Sequence, residues 1–429
     1  MGAGILSEAG ATDLFEYRAG VLHCEGVSAE RLVADCGTPL YVYSENAILG
    51  RYRAFTGAFA ALDPLIAYSV KANGNLGVLR LLADAGAGAD IVSAGELHRA
   101  RLAGMPNERI VFSGVGKTIT ELAAGLDADI YAFNVESEGE LRMLSDLAVT
   151  MNRRAPIALR VNPDVETLTP HHYTATGHRQ TKFGIPYDEA ERLYHAAAQM
   201  PGIIVRGVDV HIGSQILDVE PYRLAVTRVL ELVDRLRTKG IELEFIDVGG
   251  GFGVSYDDAA GPAPADFADG LVPLLARSGL RTVFEPGRFI VGPAGILLTR
   301  VLYLKEMGGK TFVITDAGMN DLLRPSHYSS YHRVEPAARI PGREMVAVDV
   351  VGPICESGDF LALNRPIPRV EPGELLAIGT TGAYGFSMAS TYNARPRPAE
   401  VMVAGEEYRL VRRRETYDDL VRGEAELLA

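Results

Sequence analysis

Cysteine is scarce in this chain of 429 residues: there are three, Cys24, Cys36 and Cys355. Three thiols cannot all pair, and a chain of this length does not depend on staples. A disulfide framework is therefore excluded, and a reduced, cytoplasmic location is the expectation. Basic residues are also in deficit, 42 Lys and Arg against 55 Asp and Glu, which leaves a net charge of −13. That balance argues against nucleic acid or an anionic membrane as a partner. No apolar run is long enough to cross a bilayer. Met1 to Thr12 has no basic stretch ahead of an apolar core, so no secretory signal is read there. Long linkers, low-complexity tracts and repeats of solenoid period are missing too. What remains, 47% apolar and 23% charged, is an ordinary globular profile with room for two domains.

Short apolar runs separated by helix-length stretches begin at Pro64. The runs are Leu65–Val70, Asp90–Val92, Ile110–Phe112, Ile130–Phe133, Ile157–Val161, Gly207–Ile212, Phe245–Val248 and Thr282–Phe284. Between them lie helical candidates at Leu76–Ala85, Ser137–Thr150, Tyr187–Gln199, Tyr222–Lys239 and Ala265–Ser278. Strands alternating with helices imply a parallel sheet, because each return needs a crossover. Eight such strands fit a (β/α)8 barrel. An open Rossmann sheet is the rival, weakened because no G-x-G-x-x-G follows an early strand. After Gly295 the helices stop. Ile296–Met307, Thr311–Thr315, Met345–Val351, Leu375–Thr380 and Glu400–Arg412 read as strands of an all-β region, and Thr416–Leu428 as a terminal helix. The expected division is a lead-in segment over 1–45 with a strand at Leu40–Tyr43, a barrel over 46–295, and a β domain over 296–429.

Catalytic groups of this barrel sit where its strands end. Those points hold Lys71, Ser93 with Glu96, Ser113, Asn134 with Glu136, Arg160 with Asn162, His211 with Ser214, Gly249 to Gly251, and Glu285 with Arg288. Lys71 at the mouth of an apolar strand has its neutral amine favoured by desolvation, and a neutral amine forms a Schiff base with a carbonyl. The plainer alternative is a surface lysine lying along the rim. Gly249-Gly250-Gly251 after the seventh strand and Glu285-Pro286-Gly287-Arg288 after the eighth occupy the loops that hold phosphate in barrels, although a glycine triplet also makes a plain turn. Lysine, phosphate cradle and carboxylate in one cup point to pyridoxal 5′-phosphate. Glu285 would face its ring nitrogen and keep it protonated. His211 would stack on the ring, or be a structural histidine at a strand end. His171, His172 and His178 lack metal-ligand spacing and read as a loop, so no metal is expected. Cys355, flanked by Glu356, Ser357 and Asp359 in a turn, is a candidate proton donor or nucleophile, against the alternative of a small buried hydrophobe. Tyr384 in Gly382-Ala383-Tyr384-Gly385 either offers a hydroxyl or simply packs.

In these motifs the chain resembles the fold-type III pyridoxal-phosphate decarboxylases, and among them the diaminopimelate decarboxylases. The likeness runs over nearly the whole chain. It is carried by Tyr-Ser-Val-Lys-Ala-Asn from Tyr68, Asp-Ile-Val-Ser-Ala-Gly-Glu-Leu from Asp90, and His-Ile-Gly-Ser-Gln from His211. Gly-Gly-Gly-Phe-Gly from Gly249, Glu-Pro-Gly-Arg from Glu285, Cys-Glu-Ser-Gly-Asp from Cys355 and Gly-Ala-Tyr from Gly382 complete it. The resemblance implies a barrel plus a C-terminal β domain that takes in the first strand of the chain. It implies two-fold homodimers with both active sites at the interface, so that Cys355 and Tyr384 serve the partner's cofactor. Lys71 would carry the cofactor and Glu285 face its pyridine nitrogen, with Asp90 and His211 lining the site. Ser214, Gly250, Gly251, Gly287, Arg288 and Tyr384 would hold the phosphate end. Cys355 would protonate the carbanion after CO2 leaves. Arg288, Arg324 and Tyr328 match the positions that bind a distal carboxylate, and Glu356 and Tyr384 would also face the substrate. Arginine's rigid fork suits a carboxylate, and a substrate lacking it leaves two buried arginines unpaired. The implied reaction is decarboxylation of meso-2,6-diaminopimelate to L-lysine and CO2, the last step of lysine biosynthesis. A segment from His171 to Gly184 resembles the family's lid but has His172 where proline is usual. A racemase on the same barrel would often carry arginine at the ring nitrogen, and a non-catalytic relative would have lost Lys71 or Cys355.

Overall fold

A computed structural model of the chain describes residues 15–165, 181–257 and 261–428. His171, His172 and His178, with most of the expected lid, lie outside the described residues. Two compact units emerge. One comprises residues 51–254 and 261–289, the other residues 1–50, 255–260 and 290–429.

The first unit is a closed parallel barrel. Its strands run in chain order as Leu65–Ser69, Gly88–Ile91, Ile110–Phe112, Ala132–Val135, Ala155–Asn162, Ile203–Asp209, Phe245–Asp247 and Arg281–Phe284. Each pairs with the next, and the last returns to the first through Val283↔Leu65 and Phe284↔Ile66. A two-residue strand, Ile185–Pro186, lies parallel to the fifth. Inside, Leu65, Ala67, Val111, Ala132, Ala158, Phe245 and Val283 pack with Tyr131. Side chains two residues apart share a face of a strand. Counting two onward from Ala132, Phe245 and Val283 gives Asn134, Asp247 and Glu285, so the filling changes from apolar to polar within one step. Outside the ring, Phe55, Phe59, Phe252, Phe284 and Phe289 form one aromatic cluster with centroids 4.3–6.1 Å apart.

Ser93 and Glu96, expected as site positions at a strand end, instead start a helix. Ser93 Oγ accepts the Glu96 N–H at 3.2 Å, and the Glu96 carboxylate accepts the Val92 N–H at 2.7 Å. Burial pushes the Glu96 carboxyl up to about 7. They cap the helix Ala94–Leu102, which the sequence pattern does not reveal because only Leu97 and Ala100 on it are buried. The helix Ile119–Asp127, with a Thr118–Glu121 capping box, is equally silent in the pattern, being only nine residues long.

The second unit is built on the strand Gly295–Met307. Its first half pairs antiparallel with Leu40–Ser44 and its second half with Lys310–Thr315. Leu40–Ser44 also pairs in parallel with Ala399–Ala404. A meander of Phe15–Arg18, Val21–Cys24 and Val27–Ser28 adds Phe15, Leu22 and Val27 to a core with Leu40, Val42, Leu298 and Val401. Two expectations are corrected here, and one unforeseen strand is added. Glu400–Arg412 is not one strand but a hairpin, Ala399–Ala404 against Glu407–Arg412, turning on Gly405 at φ 60°. The terminal helix is only Tyr417–Leu420 plus a 3-10 turn at Ala425–Leu427, interrupted by Gly423 at φ 84°. Phe360–Pro368 is a strand that its prolines conceal, and it lies at the edge of the sheet, where proline is tolerated. No helix among the described residues is long and apolar enough to cross a membrane.

Candidate active site

Lys71 sits in a 3-10 turn, Val70–Ala72, directly after the first barrel strand. Its Nζ lies 2.7 Å from Asp90 Oδ2, which also accepts the Ser69 hydroxyl at 2.6 Å. Asp90 is fully buried, whereas the Lys71 side chain keeps a third of its surface. An opposite charge at this distance favours the ammonium. Asp90 thus supplies a counter-charge beside the amine that the strand pattern does not show.

Glu285 projects from the end of the eighth strand and is 3% exposed. It accepts the Ser113 hydroxyl at 3.2 Å and Asn134 Nδ2 at 3.4 Å. Asn134 also bonds Asp247 at 3.2 Å, and Asp247 accepts the Gly249 N–H at 2.9 Å. Burial, together with the charges of Asp247 and Asp90, holds the Glu285 carboxyl well above the usual range. Asp247 is pushed up to about 7 by burial and by Asp209, itself raised by burial. Sequence reading does not pick out Asp209 and Asp247. The signal is a carboxylate inside an otherwise apolar strand, an arrangement that needs a partner or a proton.

His211 lies two residues beyond the sixth strand, which ends at Asp209 rather than at Ile212 as expected. Its Nδ1 accepts the Gly250 N–H at 3.2 Å, and burial with the nearby Arg160 and Lys71 charges lowers its basicity well below the ordinary value. The ring is therefore neutral. Arg288, 7% exposed, donates to Ser214 Oγ at 3.0 Å. Gly249 and Gly251 adopt φ of 74° and 95°, and a Cβ on Gly250 would run into the Glu285 carbonyl. Gly287 passes close to Ser69 in the same way. The glycines let the backbone turn approach, as a phosphate cradle requires. Arg160 and Glu136, expected as strand-end candidates, are ion-paired at 2.9 Å, and Glu136 accepts the Gly184 and Gly114 N–H groups.

The remaining predicted residues belong to the second unit. Arg324 and Tyr328 share the short helix Arg324–Tyr328. Cys355 is exposed, and its N–H donates to Asn393 Oδ1 at 2.8 Å. Glu356 accepts the Tyr392 hydroxyl, which raises that phenol. Asp359 does not serve Cys355. It accepts the Met319 and Ile354 N–H groups, both at 2.6 Å, and shapes the turn. Tyr384 has φ 55°, a left-handed backbone that costs a non-glycine residue energy and is found at functional sites.

The residues of the first unit fit pyridoxal 5′-phosphate. A lysine amine, a buried acid whose proton affinity is raised, a glycine turn with an arginine, and an unbonded buried oxygen on Asp90 (Oδ1) together match its aldehyde, pyridine nitrogen and phosphate. An eight-stranded parallel barrel furnished in this way, in a chain that also forms a separate β unit, defines the fold-type III pyridoxal-phosphate class. Residues 45–292 match the family described as pyridoxal-dependent decarboxylase, pyridoxal binding domain. The chain is 50% identical to the diaminopimelate decarboxylase of Aquifex aeolicus, with 95% of this chain and 96% of that protein covered. It is 49% identical to that of Pseudomonas aeruginosa, covering 96% and 99%. The crystal structure of diaminopimelate decarboxylase from Helicobacter pylori complexed with L-lysine superposes with a TM-score of 0.89 at 42% identity, covering 92% and 99%. The chain belongs to the diaminopimelate decarboxylases, within the pyridoxal-dependent decarboxylase family.

Proposed function

We propose that the chain decarboxylates meso-2,6-diaminopimelate at its D-centre to L-lysine and CO2, as a cytoplasmic homodimer. The observation that carries the reading is Lys71 paired with buried Asp90 in the same barrel end as Glu285, whose carboxyl burial holds above its ordinary range. Bound pyridoxal 5′-phosphate supplies an electron sink for the pair left on carbon when CO2 departs. Lys71 anchors it, and Asp90 keeps the amine in place. Glu285 holds a proton at the ring nitrogen. The neutral His211 stacks against the ring without adding charge. Ser214, Gly250, Gly251, Gly287, Arg288 and Tyr384 hold the phosphate end.

Substrate selection falls to Arg288, Arg324 and Tyr328 for the distal carboxylate and to Glu356 for the distal ammonium. A forked guanidinium matches a carboxylate with two parallel bonds. Cys355 delivers the proton that replaces CO2, acting with Tyr384 at the partner's site. The test is a lysine assay with meso-diaminopimelate and with ornithine, beside a visible spectrum. Diaminopimelate should turn over and ornithine poorly. Comparable kcat/KM for both would leave only the broader decarboxylase reading.

A further inference from the structure

Arg324 is 7% exposed, and its fork is held along an edge and across its faces. Nε donates to Nε2 of His332 at 3.4 Å, and Nη2 donates to Oγ of Ser330 at 3.2 Å. The rings of Tyr256 and Tyr328 stand 5.3 and 5.7 Å from the guanidinium carbon. His332 is fully buried, with Nδ1 2.9 Å from the Gly379 carbonyl and the Tyr256 ring meeting it edge-on at 5.1 Å. Its own carbonyl accepts Arg365. A carbonyl oxygen only accepts, so Nδ1 carries the ring proton. Nε2 faces a guanidinium N–H, which only donates, so Nε2 must present its lone pair. The imidazole is neutral, and its tautomer is fixed from both sides.

We propose that His332 is a positioning residue for substrate specificity: its Nε2 fixes the rotation of the Arg324 fork that receives the distal carboxylate. This rests on the proposed role of Arg324 above. An arginine stem has several rotatable bonds, and a fork free to swivel loses affinity to ordering when it grips a planar carboxylate. A bond at Nε sets the plane of the fork at its root. Ser330 alone cannot do this, because a hydroxyl turns with its partner, whereas the imidazole is pinned to Gly379.

The test uses the holoenzyme, with L-lysine and cadaverine as ligands. L-lysine keeps the carboxylate that is distal in the substrate, and cadaverine has none. His332→Asn preserves a donor toward Gly379 but does not reach Arg324. It should weaken L-lysine binding by calorimetry, and raise KM, by about tenfold. Cadaverine affinity, kcat and the cofactor spectrum should stay near wild type. His332→Gln, which returns an acceptor at the reach of Nε2, should recover most of the L-lysine affinity. In an Arg324→Ala background, His332→Asn should add nothing. Should the Asn variant fail to fold, His332→Phe keeps the ring volume without the acceptor and is read the same way. Arg324→Ala weakening L-lysine while His332→Asn leaves it untouched would overturn the role of His332. Equal losses for L-lysine and cadaverine would do so too, marking a packing defect. Unchanged L-lysine binding in Arg324→Ala would overturn the carboxylate clamp itself.

Discussion

At Glu285 burial and neighbouring charge act in one direction. A carboxyl 3% exposed, beside Asp247 and Asp90, is held well above the ordinary carboxylate range and so grips its proton more tightly. Glutamine matches its shape but cannot pass that proton to a ring nitrogen. Glu285→Gln should therefore retain bound cofactor in the visible spectrum and lose roughly a hundredfold or more in kcat. Unchanged kcat would remove Glu285 from the chemistry. The positions of Lys71, Glu285 and Arg288 at strand ends are legible because each sits in a short run of distinctive neighbours. His332 is not. Its meaning comes from Arg324, eight residues earlier, and from Gly379, 47 residues later, and neither is announced in the local sequence.

The strands are legible as elements because a short apolar run between two helices is too brief for a helix and too apolar for a loop. Their ends are less so. Gly207–Ile212 is expected where Ile203–Asp209 stands, since Arg206 interrupts the apolar pattern that the barrel nevertheless continues. The hairpin at Gly405 carries a turn signal in that glycine, which one continuous strand over Glu400–Arg412 ignores. At this scale the adjacent sixth, seventh and eighth strands bring Asp209, Asp247 and Glu285 near enough for their charges to raise one another. Asp247 has its proton held up to about pH 7 in the folded protein, against the ordinary carboxylate range when unfolded. The folded state then binds more protons between those values, so this group's share of stability is present in acid and lost as pH rises toward 7. In cofactor-free protein, Asp247→Asn removes that dependence. Its stability relative to wild type should improve from about pH 4 to about pH 7 and then level off. Denaturant unfolding across that range checks it, and a pH-independent difference would show that Asp247 is ionised throughout.

For the whole molecule the proposed dimer makes a stoichiometric prediction. Lys71→Ala and Cys355→Ala subunits are each expected to be inactive. If the two residues act in one site from different chains, mixed dimers regain about one intact site of the two. Activity measured after subunit exchange, with mass spectrometry confirming the hybrids, checks this. No recovery in verified hybrids would put both residues in one chain's site.

The strand Leu40–Ser44 has a consequence for synthesis. Both of its neighbours, Gly295–Met307 and Ala399–Ala404, are translated hundreds of residues after it. The barrel strands, by contrast, each pair with the next in order of emergence, apart from the final closure. On the ribosome the barrel can assemble as it appears, while Leu40–Ser44 waits with both edges unpaired. Ribosome-bound chains stalled short of residue 295 should accordingly be cut by protease around 40–44, with protection arriving only once residue 404 has cleared the exit tunnel. The strand is then sealed on both edges only in a chain that has been made at least as far as residue 404.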